Sequence, residues 1–211
     1  MTAKADVIFI AEAELPTEQG LFRALAFEVQ STREEVLVLV AGAIAETPLV
    51  RLHSECLTGD ALGSQRCDCG PQLRAAQRQV VAQDGLIVYL RQEGRGIGLL
   101  NKIRAYALQD DGMDTVDANL HLGFGADLRD YSVAAAVLQQ LGITNVRLLT
   151  NNPAKVQGLE ENGILVSERV SLIIEATSHN IDYLNTKRQR MQHQLPHMNG
   201  KTVIMNQLSI R

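Results

Sequence analysis

Three cysteines, Cys56, Cys67 and Cys69, are the whole thiol complement of this chain, and all three fall in one short stretch. It runs His53-Ser54-Glu55-Cys56 and then, after a gap, Arg66-Cys67-Asp68-Cys69-Gly70. A fold that uses them together has to bring residues 56–69 into one loop that gathers the sulfurs. Structural zinc sites close with four protein ligands, whereas catalytic ones leave the fourth position to water. Three thiolates therefore point to chemistry more than to scaffolding. His53, Glu55, Arg66 and Asp68 stand beside them as acids and bases able to move protons. The competing reading is three small buried hydrophobes. Charge rather than an apolar run flanks Cys67 and Cys69, which favours metal binding. A disulfide fits poorly, because Cys67 and Cys69 are too close to bridge comfortably and an odd count leaves one thiol over.

Length and charge narrow the function classes. The 211 residues allow one large domain, or one domain with a small appendage. A net charge of −4 is not that of a non-specific nucleic-acid binder, which needs a basic surface. Without tryptophan, and with 4% aromatics, stacking on several bases is poorly served. No run approaches the roughly 20 apolar residues of a membrane span. The first residues turn acidic too soon for a signal peptide. Clustered reduced thiols and no export signal lead to an expectation of a cytoplasmic protein, with neither nucleic acid nor membrane as partner.

Residues 7–56 read as β-rich. Val7–Ile10, Leu21–Val29, Val36–Val40 and Leu49–Leu52 are strand-like runs divided by Pro16, Gly20, Gly42 and Pro48. Gly70-Pro71 opens a helix, since proline suits the first helical position. Leu73, Ala76, Val80 and Val81 then recur at helical spacing up to Gly85. A strand is expected at Leu86–Leu90. A second helix runs from Ile97 to Asp111, with Leu100, Ile103 and Ala107 on one face. Residues 112–130, rich in Gly and Asp, read as a long irregular connection of the kind that often carries function. A third helix over Tyr131–Leu141, a strand at Val146–Thr150, a short helix at Pro153–Asn162 and one or two strands over Ile164–Ile174 follow. The expected fold is mixed α/β (α+β), a β-rich N-terminal part followed by alternating strands and helices in one compact domain. Residues 1–178 form that domain, and 179–211 a polar, basic and helical C-terminal tail. Its His193 and His197 could pair on a metal, but a solvated helix or a partner-binding arm is the preferred reading.

Three further constellations carry chemistry. Arg91-Gln-Glu-Gly-Arg-Gly-Ile-Gly98 leaves a strand and opens a helix. Its glycines permit a tight turn and a close backbone approach, the makings of an anion site, although it matches no dinucleotide or P-loop fingerprint. Arg95 in that turn could grip phosphate bidentately. A plain strand–helix turn is the equal alternative. Thr150-Asn-Asn-Pro-Ala-Lys155 repeats the arrangement after another strand, where ligands of α/β sheets gather, with simple capping as the alternative. Asp127-Leu-Arg-Asp130 precedes the third helix, with Asp130 as expected N-cap. Asp127 and Arg129, two apart, face the same way in an extended segment, which suits a structural salt bridge. The order His-Ser-Glu followed by cysteines also invites comparison with nucleobase deaminases and their His-x-Glu … Pro-Cys-x-x-Cys signature. Here Cys-Asp-Cys is one residue short and no proline precedes it.

Taken together, Arg51-Leu-His-Ser-Glu-Cys-Leu-Thr-Gly-Asp60, Gln65-Arg-Cys-Asp-Cys-Gly70, Arg91-Gln-Glu-Gly-Arg-Gly-Ile-Gly-Leu-Leu-Asn-Lys102 and Leu149-Thr-Asn-Asn-Pro-Ala-Lys155 resemble the GTP cyclohydrolase II family, collinearly from about Ala13 to Asp182. The resemblance implies the zinc enzyme that opens riboflavin biosynthesis. Its substrate is GTP, and its products are formate, pyrophosphate and a 2,5-diamino-6-ribosylamino-pyrimidinone 5′-phosphate. It implies zinc on Cys56, Cys67 and Cys69. It implies GTP contacts at Arg51, Leu52, His53, Ser54, Glu55, Gln72, Glu93, Gly94, Arg95, Thr115, Thr150 and Lys155. Asp127 is implied as proton acceptor, Arg129 as nucleophile, and Tyr106 as an aid to deformylation. Mg²⁺ on the triphosphate and a homodimer are implied as well. The length leaves no room for a fused dihydroxy-butanone-phosphate synthase domain, so a monofunctional form is expected. As nucleophile, Arg129 meets a chemical objection: a guanidinium stays protonated, and charge stabilisation at the α-phosphate is the milder role. Two other readings remain, a zinc nucleobase deaminase releasing ammonia and a zinc-stapled nucleotide-binding module without turnover.

Overall fold

The computed structural model describes residues 5–125, 127–178, 180–190 and 192–195. His179, His197 and the rest of the expected tail beyond residue 195 lie outside them. Strands β1 (Val7–Thr17), β2 (Gly20–Val29) and β3 (Glu35–Val40) pair antiparallel in sequence order. Strand β4 (Leu49–Ser54) leads into a short helix α1 (Leu57–Asp60) and then α2 (Cys69–Ala82). Strand β5 (Leu86–Leu90), a 3-10 turn (Glu93–Gly96) and α3 (Gly98–Asp110) follow. Next come α4 (Thr115–His121), α5 (Ser132–Gln140), β6 (Asn145–Leu149), α6 (Pro153–Glu160), β7 (Leu165–Val170) and α7 (Ile181–Arg190). The seven strands make one mixed sheet in the order β1-β2-β3-β5-β4-β6-β7. β5, β4, β6 and β7 run parallel to one another, and β3 meets β5 antiparallel.

Both faces of the sheet are covered, so its central strands are apolar along their length, as parallel strands buried on two sides must be. Alternation then sorts the side chains. Leu86, Val88 and Leu90 of β5, with Val50 and Leu52 of β4, pack under α5 and α6. Ile87 and Leu49 pack on the other face with Ala75, Ala76 and Val80 of α2. Arg51 and His53 alternate onto that second face near the strand end, which brings polar groups to its rim.

The fold class is the expected one, and several local readings change. β1 runs through Pro16, where the sequence predicts a turn; an edge strand tolerates a proline that cannot donate to the ladder. The 112–130 connection contains α4, whose N-cap Asp114 accepts hydrogen bonds from the Val116 and Asp117 amides at 2.7 and 2.9 Å. Asp130 sits one residue ahead of the α5 cap; its carboxylate accepts from the Ser132 amide at 2.8 Å and the Ser132 hydroxyl at 2.6 Å. On α3 the apolar stripe faces outward, Leu100 being 76% and Ile103 49% exposed, because the opposite side is given to Lys102 and Tyr106. No helix among the described residues is long and apolar enough to cross a membrane.

Candidate active site

β4, β5 and β6 end on one edge of the sheet, and the chain that leaves each carries the polar groups. β4 delivers Ser54, Glu55 and Cys56, β5 delivers Gln92 to Arg95, and β6 delivers Thr150 to Asn152. All of these line one cavity, as ligand sites at the carboxyl ends of parallel strands do.

The sulfurs of Cys56, Cys67 and Cys69 lie within 4.8 Å of one another, with Cys56 and Cys67 3.7 Å apart. Two thiolates on a tetrahedral zinc, each at about 2.3 Å, would stand about 3.8 Å apart. The three cysteines are unbridged, and among the described residues no fourth Cys, His, Asp or Glu joins them. The group therefore fits a metal with one position open. Backbone packing holds it there. A Cβ on Gly59 would lie 2.9 Å from the Cys67 sulfur and 3.1 Å from that of Cys56, and one on Gly70 would strike the Gly59 carbonyl at 2.2 Å. Only hydrogen fits at these two places. Hydrogen bonds from the other two thiols, aided by Lys102, hold Cys56 far below the usual thiol range and so favour its thiolate. The Lys102 ammonium donates to the Cys56 sulfur at 3.0 Å, to Glu93 Oε1 at 2.8 Å and to the Thr58 hydroxyl at 2.9 Å. Glu93 Oε2 in turn accepts from the Leu57 amide at 2.7 Å.

Asp60, which no pattern in the sequence marks, pins this corner. Its carboxylate accepts from the Tyr89 hydroxyl at 2.9 Å and the Cys56 amide at 3.0 Å, and it meets His53 Nε2 at 3.0 Å. The β4–β5 register sets His53 opposite Tyr89, their rings stacked 5.4 Å apart. A carboxylate at Nε2 assigns the proton to that nitrogen. It leaves the buried Nδ1, which has no partner in the protein, as an acceptor. Burial pushes the His53 pKa down, so the ring is neutral.

The glycine-rich turn is the strained element. Gly94, Arg95 and Gly96 all take positive φ, and Arg95 at 64° pays for its place with a conformation that non-glycine residues avoid. The result aims a guanidinium whose two terminal nitrogens are buried with no partner in the protein. Five more cations line the same cavity: Arg51, Lys102, Arg129, Lys155 and Lys187. Arg51 donates to the Leu149 carbonyl at 3.0 Å and to Gln72 at 2.7 Å, and burial lowers its pKa to about 10. Lys155 donates to the Leu52 carbonyl at 2.7 Å, and burial depresses it strongly. Arg129 Nε donates to Asp127 at 2.8 Å. Burial works against both charges of that pair, but the pairing outweighs it: Asp127 titrates low and Arg129 high.

Most of the expected site residues thus converge, with two exceptions. The Leu52 side chain is fully buried in the core, and only its carbonyl faces the site, where it holds Lys155. Asp127 stands behind Arg129 and does not line the cavity. Tyr106 lines it, with the Arg66 guanidinium 4.9 Å over its ring and burial raising its pKa. Thr115 reaches it from the first turn of α4. Tyr183, Lys187 and His193, from the expected solvated tail, also line it. The inward Lys187 contradicts the solvated reading: it is buried against Asp68 at 2.7 Å. No sequence signal near residue 187 announces Asp68, 119 positions away.

A three-thiolate group able to hold a metal, open to a cavity ringed by cations, defines an enzyme site for an anionic substrate. Comparison with known proteins names the class: the family model for GTP cyclohydrolase II matches residues 9–171, and the chain belongs to that family. The GTP cyclohydrolase-2 of Actinobacillus succinogenes is 53% identical over 91% of this chain and 90% of its own. That of Haemophilus influenzae is 49% identical over 95% of both. A solved two domain 3,4-dihydroxy-2-butanone 4-phosphate synthase from A. baumannii aligns with a TM-score of 0.47 and 18% identity, over 82% of this chain and 42% of that one.

Proposed function

We propose that this enzyme opens the imidazole ring of GTP with zinc held by Cys56, Cys67 and Cys69. It releases formate and pyrophosphate, leaving 2,5-diamino-6-ribosylamino-pyrimidinone 5′-phosphate, the first step of riboflavin biosynthesis. One observation carries this reading: the three-cysteine group and six cations line a single cavity. A nucleotide in that cavity would bring its base to the metal group and its phosphates to cations that have no carboxylate partner among the described residues. When bound, zinc would supply a Lewis acid that activates water at neutral pH.

The chain's own residues do the rest. Arg51, Arg95 and Lys155 bind phosphate, with Mg²⁺ accompanying the triphosphate. Buried cations in excess of their carboxylates favour a polyanion, because an unpaired charge out of water is unstable. Gln72, Glu93, Gly94, Thr115 and Thr150 frame the nucleotide. Glu55, held by Arg91 at 3.0 Å and raised in pKa by burial, and Ser54 stand beside the thiolates. His53 Nδ1 accepts a proton or a hydrogen bond from the base side. Tyr106, protonated because burial raises its pKa, donates during deformylation. Arg129 turns from Asp127 to the α-phosphate and stabilises the developing charge there. That move frees Asp127 to accept a proton. Three thiols kept reduced suit the cytoplasm. Exposed Phe9, Ile10 and Leu21 on the β1–β2 face offer apolar surface for a homodimer.

Elemental analysis of the wild type and of Cys56→Ser tests the metal assignment. One zinc per chain, lost together with formate release in the variant, is expected. Full zinc and full turnover in Cys56→Ser would refute the three-thiolate site. Arg129→Ala should lose nearly all activity and Arg129→Lys should keep a substantial part, whereas a phosphorus-labelled protein trapped during turnover would restore the nucleophile role.

A further inference from the structure

Helix α7 and the residues behind it are tied to the site at three separate places. Arg190 bonds Asp117 of α4 at 2.9 Å and also pairs with Asp114. Lys187 bonds Asp68, which lies between the ligands Cys67 and Cys69, at 2.7 Å. Beyond the helix, the Gln194 amide donates to the Asn151 carbonyl at 2.9 Å, on the loop after β6. A helix serving only as cover would bury apolar side chains. α7 buries Leu184 but also sends Tyr183 and Lys187, one turn apart, into the cavity. The Tyr183 ring is shared by two cations, the Lys187 ammonium at 4.4 Å and the Arg95 guanidinium at 6.0 Å. His193 follows, its amide on the Lys187 carbonyl at 3.1 Å and its buried Nε2 without a partner in the protein. Lys187, Arg129, Lys155 and Arg95 line the same cavity as His193 and all act on it electrostatically. Lys187, Arg129 and Lys102 of the cavity pair with Asp68, Asp127 and Glu93, and among the described residues Arg51, Arg95 and Lys155 have no carboxylate partner.

We propose that α7 forms the far wall of the nucleotide site, where Lys187 and His193 bind the triphosphate and Tyr183 holds Lys187 and Arg95 in position. The assignment rests on the reading of GTP as substrate. Asp68 accepts one of the three ammonium protons of Lys187, and a phosphate oxygen takes another. Neutral His193 donates or accepts through Nε2.

Steady-state kinetics of Lys187→Met, Lys187→Arg and His193→Ala test it, with zinc content measured on each and guanosine used as a competitive inhibitor. A charge-assisted bond to phosphate predicts that Lys187→Met raises KM for GTP by about 10- to 100-fold. The guanosine inhibition constant and the zinc content should stay unchanged, and arginine should restore most of the loss. His193→Ala lies outside the metal loop and should raise KM about 2- to 10-fold. Unchanged KM in both Lys187→Met and His193→Ala, with a wild type that turns over GTP, would overturn the wall and leave the substrate reading standing. A fall in zinc content and kcat with KM unmoved would make Lys187 a purely structural clamp and also overturn it. A wild type that neither binds nor converts GTP would defeat the substrate reading itself, and this assignment with it.

Discussion

In the antiparallel part of the sheet, β1 to β3 follow one another through short turns, and the side chains that leave the core end in solvent. Phe9, Ile10 and Leu21 are 48, 56 and 57% exposed. In the parallel part, β4, β5 and β6 all stop on the same edge, and what leaves the core there is buried again: Arg51, His53, Glu93, Asn151, Asn152 and Lys155 are each less than 10% exposed. Both parts share one apolar core. The difference is that parallel strands need crossovers, and their returning loops stack at one end, where polar groups from residues 51–155 meet out of water. One half of the sheet chiefly supplies stability, and the other holds charges that a bound polyanion would balance.

The contrast can be broken first at Gly59. Gly59→Ala places a methyl among the sulfurs, where 2.9 Å separates it from Cys67, while at Gly63 four residues on a methyl meets no atom and costs only the local strain of a φ of 68°. Gly59→Ala should weaken zinc binding about 10- to 100-fold and take activity with it, whereas Gly63→Ala should keep both; competition with a chromogenic chelator reads the difference. A sharper version comes from β2. Leu25→Ala opens a cavity in the core, since Leu25 is 4% exposed. It should lower stability by about 2–5 kcal/mol in denaturant unfolding. Turnover per folded molecule should be unchanged, because no group of the site touches it.

The smallest expected effect is on pH dependence. Burial, then the surrounding cations, push His193 down to about 2 from the ordinary 6.5. Between those values the unfolded chain binds a proton that the folded one refuses, so stability rises with pH in that window and is lost on acidification below about 6.5. His53, lowered by burial, acts in the same direction. His193→Gln should therefore flatten the fall in unfolding midpoint between pH 7 and 5, and an equally steep fall would place His193 in solvent.

What the sequence made legible was local. Cys56, Cys67 and Cys69 sit close enough along the chain that their spacing announces a site, and the glycine turn around Arg95 carries its own conformational signature. Asp60 was hidden because its partners His53 and Tyr89 meet only through the β4–β5 register. α4 was hidden because Gly112 and Gly123 bracket a helix of only seven residues. The face of α3 was misleading, since a helix that turns Lys102 and Tyr106 toward a site leaves Leu100 and Ile103 outside. The sequence of α7 predicts a solvated helix because Lys187 looks like a surface residue until Asp68 is beside it.

The most direct test of the thiolate and cation clusters acting on one nucleotide is a product analysis. Purified protein with GTP and Mg²⁺ is assayed for formate, pyrophosphate and ammonia together. Formate and pyrophosphate in equal amounts, without ammonia, are predicted. Ammonia alone would contradict ring opening and favour a deaminase, and GTP bound with no product would reduce the site to a binding module.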